Sequence, residues 1–282
     1  MSDLFKLMLI GKEEGITSFS SLSKIKKEYR PEKVGHAGTL DKFASGLMLV
    51  MIGSATKLNP LFSSFSKKYI ATIEFGSETS TLDPEGDVVA VSKLPEESDL
   101  INSISLFEGK QKQVPPKYSA LHINGKRAYE EARKGNEIEM PERDIEVYSI
   151  DLVSFDGSKA EISCHVSKGT YIRSLARDIA IKAGSRGHLI KLERTAIGPW
   201  SLSDIGKDTK DLLDMTDMFS DVILNEKNKK KIENGNLGLG DILSDSDLEK
   251  PFCYLYFGNS IFGIGDKRNG FRIVTRIANG NL

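Results

Sequence analysis

A chain of 282 residues, 39% of them hydrophobic, can bury a full core and leave enough over for a second, smaller domain. It has no apolar run of about eighteen residues, and its opening MSDLFKLMLIGKEEG lacks the apolar length and small-residue cleavage site of a leader, so a soluble, cytoplasmic protein is expected. A net charge of -1 argues against a uniformly basic polyanion binder, and two solitary cysteines, Cys164 and Cys253, give a disulfide framework or a zinc ribbon nothing to build on. The average conceals a pattern. Residues 105–135 hold seven basic residues against three acidic, and residues 159–195 hold eight against three, while acidic stretches at 83–99, 136–151 and 208–221 cancel them. This is either a basic face opposed to an acidic one or two ordinary solvated surfaces.

In chain order, Leu4–Ile10 reads as a strand, and Thr17 or Ser18 caps a helix through Tyr29 with Leu22 and Ile25 inward. A glycine-bearing interruption, Gly35-His36-Ala37-Gly38-Thr39-Leu40-Asp41, precedes Leu47–Ile52, a continuous apolar run of strand length. Thr56–Phe65 has helical spacing, Tyr69–Phe75 alternates as a strand, 96–108 reads as helix, 117–123 as extended and 127–134 as helix. Strands at 144–154 and 160–167 face each other across Asp156-Gly157, a hairpin signal, and a helix follows at 172–183. Hairpins among alternating strands and helices indicate an α+β fold with a mixed, largely antiparallel central sheet and flanking helices. After Pro199-Trp200 the composition turns polar and acidic; from about 222, glycine, asparagine and short apolar runs have the texture of a small β-barrel. The expected domains are therefore 1–221 and 222–282.

Three segments carry chemistry. The two glycines before Asp41 permit positive φ or close approach to a ligand, and the run ends in a carboxylate, although Asp after a glycine turn also serves as a cap or turn residue. No Gly-Lys-Ser/Thr follows, so it is not a phosphate-binding P-loop, and the four histidines are too scattered for a metal site. In Ser167-Lys168-Gly169-Thr170-Tyr171-Ile172-Arg173, an arginine near a helix start gains nothing from the helix dipole. It is either a surface residue or the partner of a carboxylate or phosphate. Gln113-Val114-Pro115-Pro116-Lys117-Tyr118 is a stiff extended loop amid basic residues, suited to docking on a polyanion or to tethering.

The runs GHAGTLDKFASGL (Gly35–Leu47), Lys68-Tyr69, VPPKYSALHINGKRAYEEARKG (Val114–Gly135), SKGTYIRSLARDI (Ser167–Ile179) and HLIKLERTAIGPW (His188–Trp200) resemble, in order and spacing, the TruB family of tRNA pseudouridine synthases. The resemblance spans about residues 5 to 205, and the tail is more weakly similar to the family's PUA-like RNA-binding domain. It implies a pseudouridine synthase fold that isomerises a uridine in the T-loop of tRNA, position 55 in tRNA numbering, with tRNA as partner through its T-stem-loop. No metal, small-molecule cofactor or membrane is implied, and a monomer is expected. Asp41 matches the catalytic aspartate, and Arg173 the arginine that would keep it ionised and oriented. Tyr69 matches the aromatic platform under an everted uracil, Leu192 and Tyr171 belong to the substrate pocket, and His36 packs where the base has left. Lys68, Lys117, Lys126 and Arg127, with Lys67 and Arg133, are candidate phosphate contacts.

Departures from the family pattern include Lys42 for a common proline, which should loosen the loop and put a cation beside Asp41, His122 for a lysine, Ser80 for an acid two residues before Leu82-Asp83, and Glu193 for an arginine. Two other readings compete: a non-catalytic tRNA-binding or tRNA-folding protein on the same scaffold, and a glycosidase, which would need two carboxylates flanking the bond.

Overall fold

The computed structural model describes residues 4–119, 121–123, 126–127, 140–234, 250–268 and 271–277. The chain opens with β1 (Phe5–Lys12), α1 (Ser18–Ser21), α2 (Ser23–Glu28), β2 (Val34–His36) and β3 (Ser45–Gly53). A 3-10 turn over Ser54–Leu58 leads into α3 (Asn59–Ser63), β4 (Lys67–Phe75), β5 (Ser77–Thr79), β6 (Val88–Val91), α4 (Glu97–Ser105) and β7 (Gly109–Gln113). Two-residue strands β8 (His122–Ile123) and β9 (Lys126–Arg127) pair with each other before the hairpin β10 (Arg143–Phe155) and β11 (Lys159–Val166). Helix α5 (Ile172–Lys182), β12 (Gly187–Ile197) and β13 (Trp200–Ser201) complete the larger part. Then come α6 (Thr209–Asp214), β14 (Phe219–Ile223), α7 (Glu226–Glu233), β15 (Phe252–Phe257), β16 (Ser260–Asp266) and β17 (Arg272–Arg276).

The main sheet runs β1-β3-β12-β4-β11-β10-β7, with β2 beside β3 and β13 beside β12. Its described pairings are antiparallel except β3 with β12, where Glu193 faces Ser45 and Arg194 faces Gly46. The close approach needs a glycine: a Cβ on Gly46, whose φ is +109°, would lie 2.3 Å from the Arg194 carbonyl oxygen. The mixed, largely antiparallel sheet is the one the hairpin signals indicate.

Strand β3 is buried on both faces, as its unbroken apolar run implies. Leu47, Leu49 and Met51 enter one core with Phe5, Leu7 and Trp200, Met48 enters a second, and Val50 and Ile52 pack on Leu22 and Ile25. Helix α5 lays Ile172, Leu175, Ala176 and Ile179 on the second core, against Ile73, Ile162 and Leu189.

Two expected helices are broken. Thr17 does cap, accepting from the Ser20 N–H at 3.0 Å, but the helix divides at Leu22. Serines interrupt it: Ser18 turns its hydroxyl to the Leu40 backbone, and Ser21 bonds back to the Ser18 carbonyl at 2.8 Å. The span 56–65 splits before Asn59-Pro60, because proline has no N–H to continue the preceding turn and fits the start of α3 instead. Of the described residues in the extended span 117–123, only His122–Ile123 are strand, and the helix expected over 127–134 falls, beyond Arg127, outside the described residues.

The tail forms a second sheet, β14-β15-β16-β17, in which β14 runs parallel to β15. Among the described residues it is open, with no closed barrel. It begins at Phe219, so position 222 lies inside a strand. Phe219, Phe252, Tyr254, Ile261 and Ile264 share one apolar cluster with Phe5, Leu7 and Trp200. Among the described residues no helix is long and apolar enough to cross a membrane.

Candidate active site

A cavity of about 370 Å³ opens where the loop before β3, the middle of the main sheet and the start of α5 converge. Asp41, Tyr69, Tyr171, Arg173, Leu192, Lys67 and Arg194 line it. The sheet register explains the grouping, because Tyr69 on β4 faces Arg194 on β12 and Cys164 on β11. Gln113 fixes the entry to α5, its side chain accepting from the Tyr171 N–H at 2.9 Å and donating to the Tyr171 carbonyl at 3.1 Å.

Arg173 is almost wholly buried and organises the floor. Its Nη2 donates to Asp41 Oδ1 at 3.2 Å, and its Nε lies 2.9 Å from Asp41 Oδ2 without the alignment of a hydrogen bond. Its Nη1 donates to Asp83 Oδ2 at 3.0 Å and to the Thr81 carbonyl at 2.8 Å, and Nη2 also reaches the Tyr118 carbonyl at 3.0 Å. Asp83 comes from the turn between β5 and β6. There Leu82 adopts φ 62°, a left-handed conformation costly for a branched side chain, and the Leu82 carbonyl accepts from the Leu189 N–H at 3.2 Å. The Asp83 carboxylate is further held by the Thr81 hydroxyl and the Glu85 N–H. Asp83 opens the acidic stretch 83–99, and its 7% side-chain exposure and its bond to Arg173 make it part of the site.

Hydrogen bonds from the start of the chain hold the Asp41 loop. Ser18 Oγ exchanges 2.9 Å hydrogen bonds with the Leu40 N–H and carbonyl, and the Gly15 N–H donates to the Lys42 carbonyl at 2.9 Å. Buried Lys12 donates to the Glu13, Lys42 and Ala44 carbonyls. The Lys42 ammonium turns to Glu85, 3.2 Å away. Asp41 keeps 39% of its side chain accessible at the cavity. Burial lifts its carboxyl above the ordinary carboxylate range, Arg173 pulls it back, and Asp83 and Glu85 push it up again. Arg173 thus acts on Asp41 in the expected sense but opposes burial without overcoming it.

Tyr69 sits among the cavity walls, its phenol pushed up by burial while the Arg194 guanidinium works against the shift. Leu192 is buried in the wall, and Tyr171 lies at the helix entry. His36, on β2, is outside the lining; burial holds it neutral, and its Nδ1 is buried with no partner among the described residues. Strand alternation turns Lys67 into the cavity and exposed Lys68 to the other face, so the pair is split. Lys117 is exposed outside the lining, though its neighbour Tyr118 reaches Arg173. Lys126 and Arg127 form β9, and their side chains, like Arg133, lie outside the described set.

A family model described as TruB family pseudouridylate synthase (N terminal domain) matches residues 26–172. The tRNA pseudouridine synthase B of Borreliella burgdorferi (strain ZS7) is 44% identical over 200 residues, covering 70% of this chain and 71% of that one. The tRNA pseudouridine synthase B of Clostridium kluyveri is 36% identical over 275 residues, 92% of this chain and 94% of that one. Among solved structures, a Cbf5-Nop10-Gar1 complex superposes with TM-score 0.66 at 20% identity, over 98% of this chain and 86% of that chain. An archaeal box H/ACA sRNP Nop10-Cbf5 complex gives TM-score 0.62 at 18% identity, over 96% and 86%. At such identities the likeness is one of fold.

Proposed function

The chain belongs to the TruB family of tRNA pseudouridine synthases, and from that premise we propose that it isomerises the T-loop uridine of tRNA, with Asp41 as the catalytic carboxylate. The reaction breaks the N1–C1′ glycosidic bond, turns the uracil and joins C5 to C1′. C5 loses a proton and N1 gains one, so the product is an isomer and no electron donor or acceptor is consumed. A base held inside a folded loop must first be everted, at a cost of a few kcal/mol that pocket contacts offset. Tyr69 is the platform for the everted uracil, worth about 1–3 kcal/mol by stacking, and Leu192 and Tyr171 close the pocket around it.

The observation that carries this reading is the two-point approach of Arg173 to Asp41 in a cavity that also holds Tyr69. A carboxylate in a partly dry pocket tends to take up a proton; a guanidinium at that distance favours the charged, reactive form and fixes its orientation. His36 lies against the loop where the base has left, and Lys68, Lys117, Lys126 and Arg127 meet phosphates outside the cavity. In this reading residues 222–282 serve as a PUA-like RNA-binding unit, and the enzyme works in the cytoplasm as a monomer without metal or cofactor. The test uses tRNA carrying tritium at uridine C5. Wild type is expected to release the label and place pseudouridine in the T-loop, and Asp41→Asn to release none. Binding of tRNA without release by the wild type would favour an RNA-binding protein on the same scaffold.

A further inference from the structure

The cluster of Asp41, Arg173 and Asp83 leaves two charged side chains of the cavity unassigned. Lys67 and Arg194, only 7% and 1% exposed, line the same cavity. Lys67 lies two places before Tyr69 on β4 and so shares its face, and Arg194 is Tyr69's partner across β12. Lys67 donates to the Ser63 carbonyl at 2.8 Å and the Phe65 carbonyl at 2.6 Å. Arg194 donates through Nε to the Leu47 carbonyl at 2.7 Å and through Nη2 to the Gly38 carbonyl at 3.1 Å. These four acceptors are neutral, as is the Tyr69 phenol that Arg194 also meets, and among the described residues neither cation pairs with a carboxylate.

Two buried cations that line one cavity without a counter-ion are an expensive arrangement. Its cost is visible at Lys67, whose ammonium is pushed down to about 8 by burial, then by Arg194 and Lys168. The backbone keeps the space between them open. Gly38 has φ +92°, and a Cβ there would stand 3.3 Å from Arg194 Nη1 and 3.9 Å from Lys67 Cε. A lysine committed to two acceptors keeps a third N–H, and a guanidinium has five donors in all, so both can take a further acceptor. A base carbonyl would satisfy donors but leave the charges standing. A phosphate would do both, through charge-assisted hydrogen bonds to its non-bridging oxygens.

We propose that Lys67 and Arg194 form an internal anion seat for one of the two backbone phosphates that flank the everted nucleotide. The nucleotide whose sugar meets Asp41 carries a phosphate on each side of that sugar, and the seat selects one of them. Exposed Lys168, on the turn that also supplies cavity-lining Ser167 and Gly169, adds charge at the rim. The proposal rests on the RNA-modifying reading and deepens it by naming the backbone contact that orients the strand.

The test uses unmodified full-length protein and stem-loop RNAs in which the phosphate 5′ or 3′ of the target uridine is replaced, in turn, by an uncharged methylphosphonate. One replacement is expected to weaken binding about tenfold or more and to reduce the salt dependence by about one counter-ion, and the other to have little effect. In Lys67→Gln the sensitive replacement should cost less than about twofold, since the seat is already impaired. Indifference of the wild type to both replacements overturns the proposal, whether or not Lys67→Gln folds, and so does an equal loss in wild type and a folded variant. Failure of the enzymatic reading shows separately, as absence of pseudouridine in the unmodified RNA.

Discussion

Among the described residues two arginine–aspartate clusters, one built on buried Arg173 and one on buried Asp266, have opposite stoichiometry. In the cavity one guanidinium, Arg173, serves two carboxylates, Asp41 and Asp83. In the small sheet one carboxylate, Asp266, serves two guanidiniums, with Arg268 Nη2 at 3.0 Å and Arg272 Nη2 at 2.7 Å. Burial alone would raise both Asp41 and Asp266. At Asp266 hydrogen bonds from Arg268 and then Arg272 override burial and hold the carboxyl at about 2; at Asp41 the shared arginine is outweighed and the carboxyl stays above its ordinary range. The difference is one of charge balance: two guanidiniums outweigh burial at one carboxylate, while one guanidinium shared between two carboxylates does not.

The sharpest way to break this contrast is Asp41→Asn. Turnover should fall by more than about a thousandfold, because the reacting carboxylate is gone. Stability should move the other way. A carboxyl raised by folding contributes stability while protonated and loses it as pH climbs through the folded value, so ionising Asp41 in the folded state costs stability. The melting temperature of Asp41→Asn should therefore equal or exceed that of wild type, and a clear drop would show Asp41 to be structural. Next, Arg173→Lys should lower turnover by about a hundredfold and move the acid limb of the pH–rate profile to higher pH, since a point charge replaces the fork that pulls Asp41 down. An unmoved limb would mean that the guanidinium does not tune Asp41.

Asp266→Asn should do the reverse of Asp41→Asn. Turnover per folded molecule is retained, and stability at neutral pH falls by about 1–2 kcal/mol, a modest figure because Arg268 and Arg272 are 41% and 71% exposed. A carboxyl depressed by folding stabilises above its ordinary value and loses that contribution as pH falls toward about 2, so the variant should show less acid-dependent loss in thermal melts below pH 4. The smallest expected effect is at Glu85→Gln. Removing a carboxylate that pushes Asp41 up should shift the acid limb slightly to lower pH, and loss of the exposed Lys42 ion pair should cost less than about 1 kcal/mol.

Much of this was legible in the residues. The alternation of 69–75, the apolar run at 47–52 and the Asp156-Gly157 turn gave the sheet its strands and hairpin, and the five ordered motifs paired Asp41 with Arg173 before any geometry was known. Asp83 was missed as a partner because its place depends on a left-handed turn at Leu82, a residue that carries no preference for one. Both Lys67 and Lys68 were candidates for phosphate contacts, and the period-two rule that turns Tyr69 inward separates them, sending Lys67 to the cavity and Lys68 outward. The serines of 18–23 divide a helix that apolar spacing alone continues, since hydrogen bonds to Leu40, more than twenty residues away in sequence, are invisible to a local pattern. Among the described residues the tail sheet is open where a barrel was expected, since strand texture is the same in both.

The apolar cluster that Phe252, Tyr254 and Ile264 share with Phe5, Leu7 and Trp200 makes the tail a wall of the catalytic unit. A flexibly linked module would melt by itself; here loss of the small sheet strips the cover from β1 and β3 and exposes their side chains to water. The two sheets should accordingly lose structure in one cooperative calorimetric transition, and an RNA contact made by the tail would be felt mechanically at the Asp41 loop, which hangs from β3.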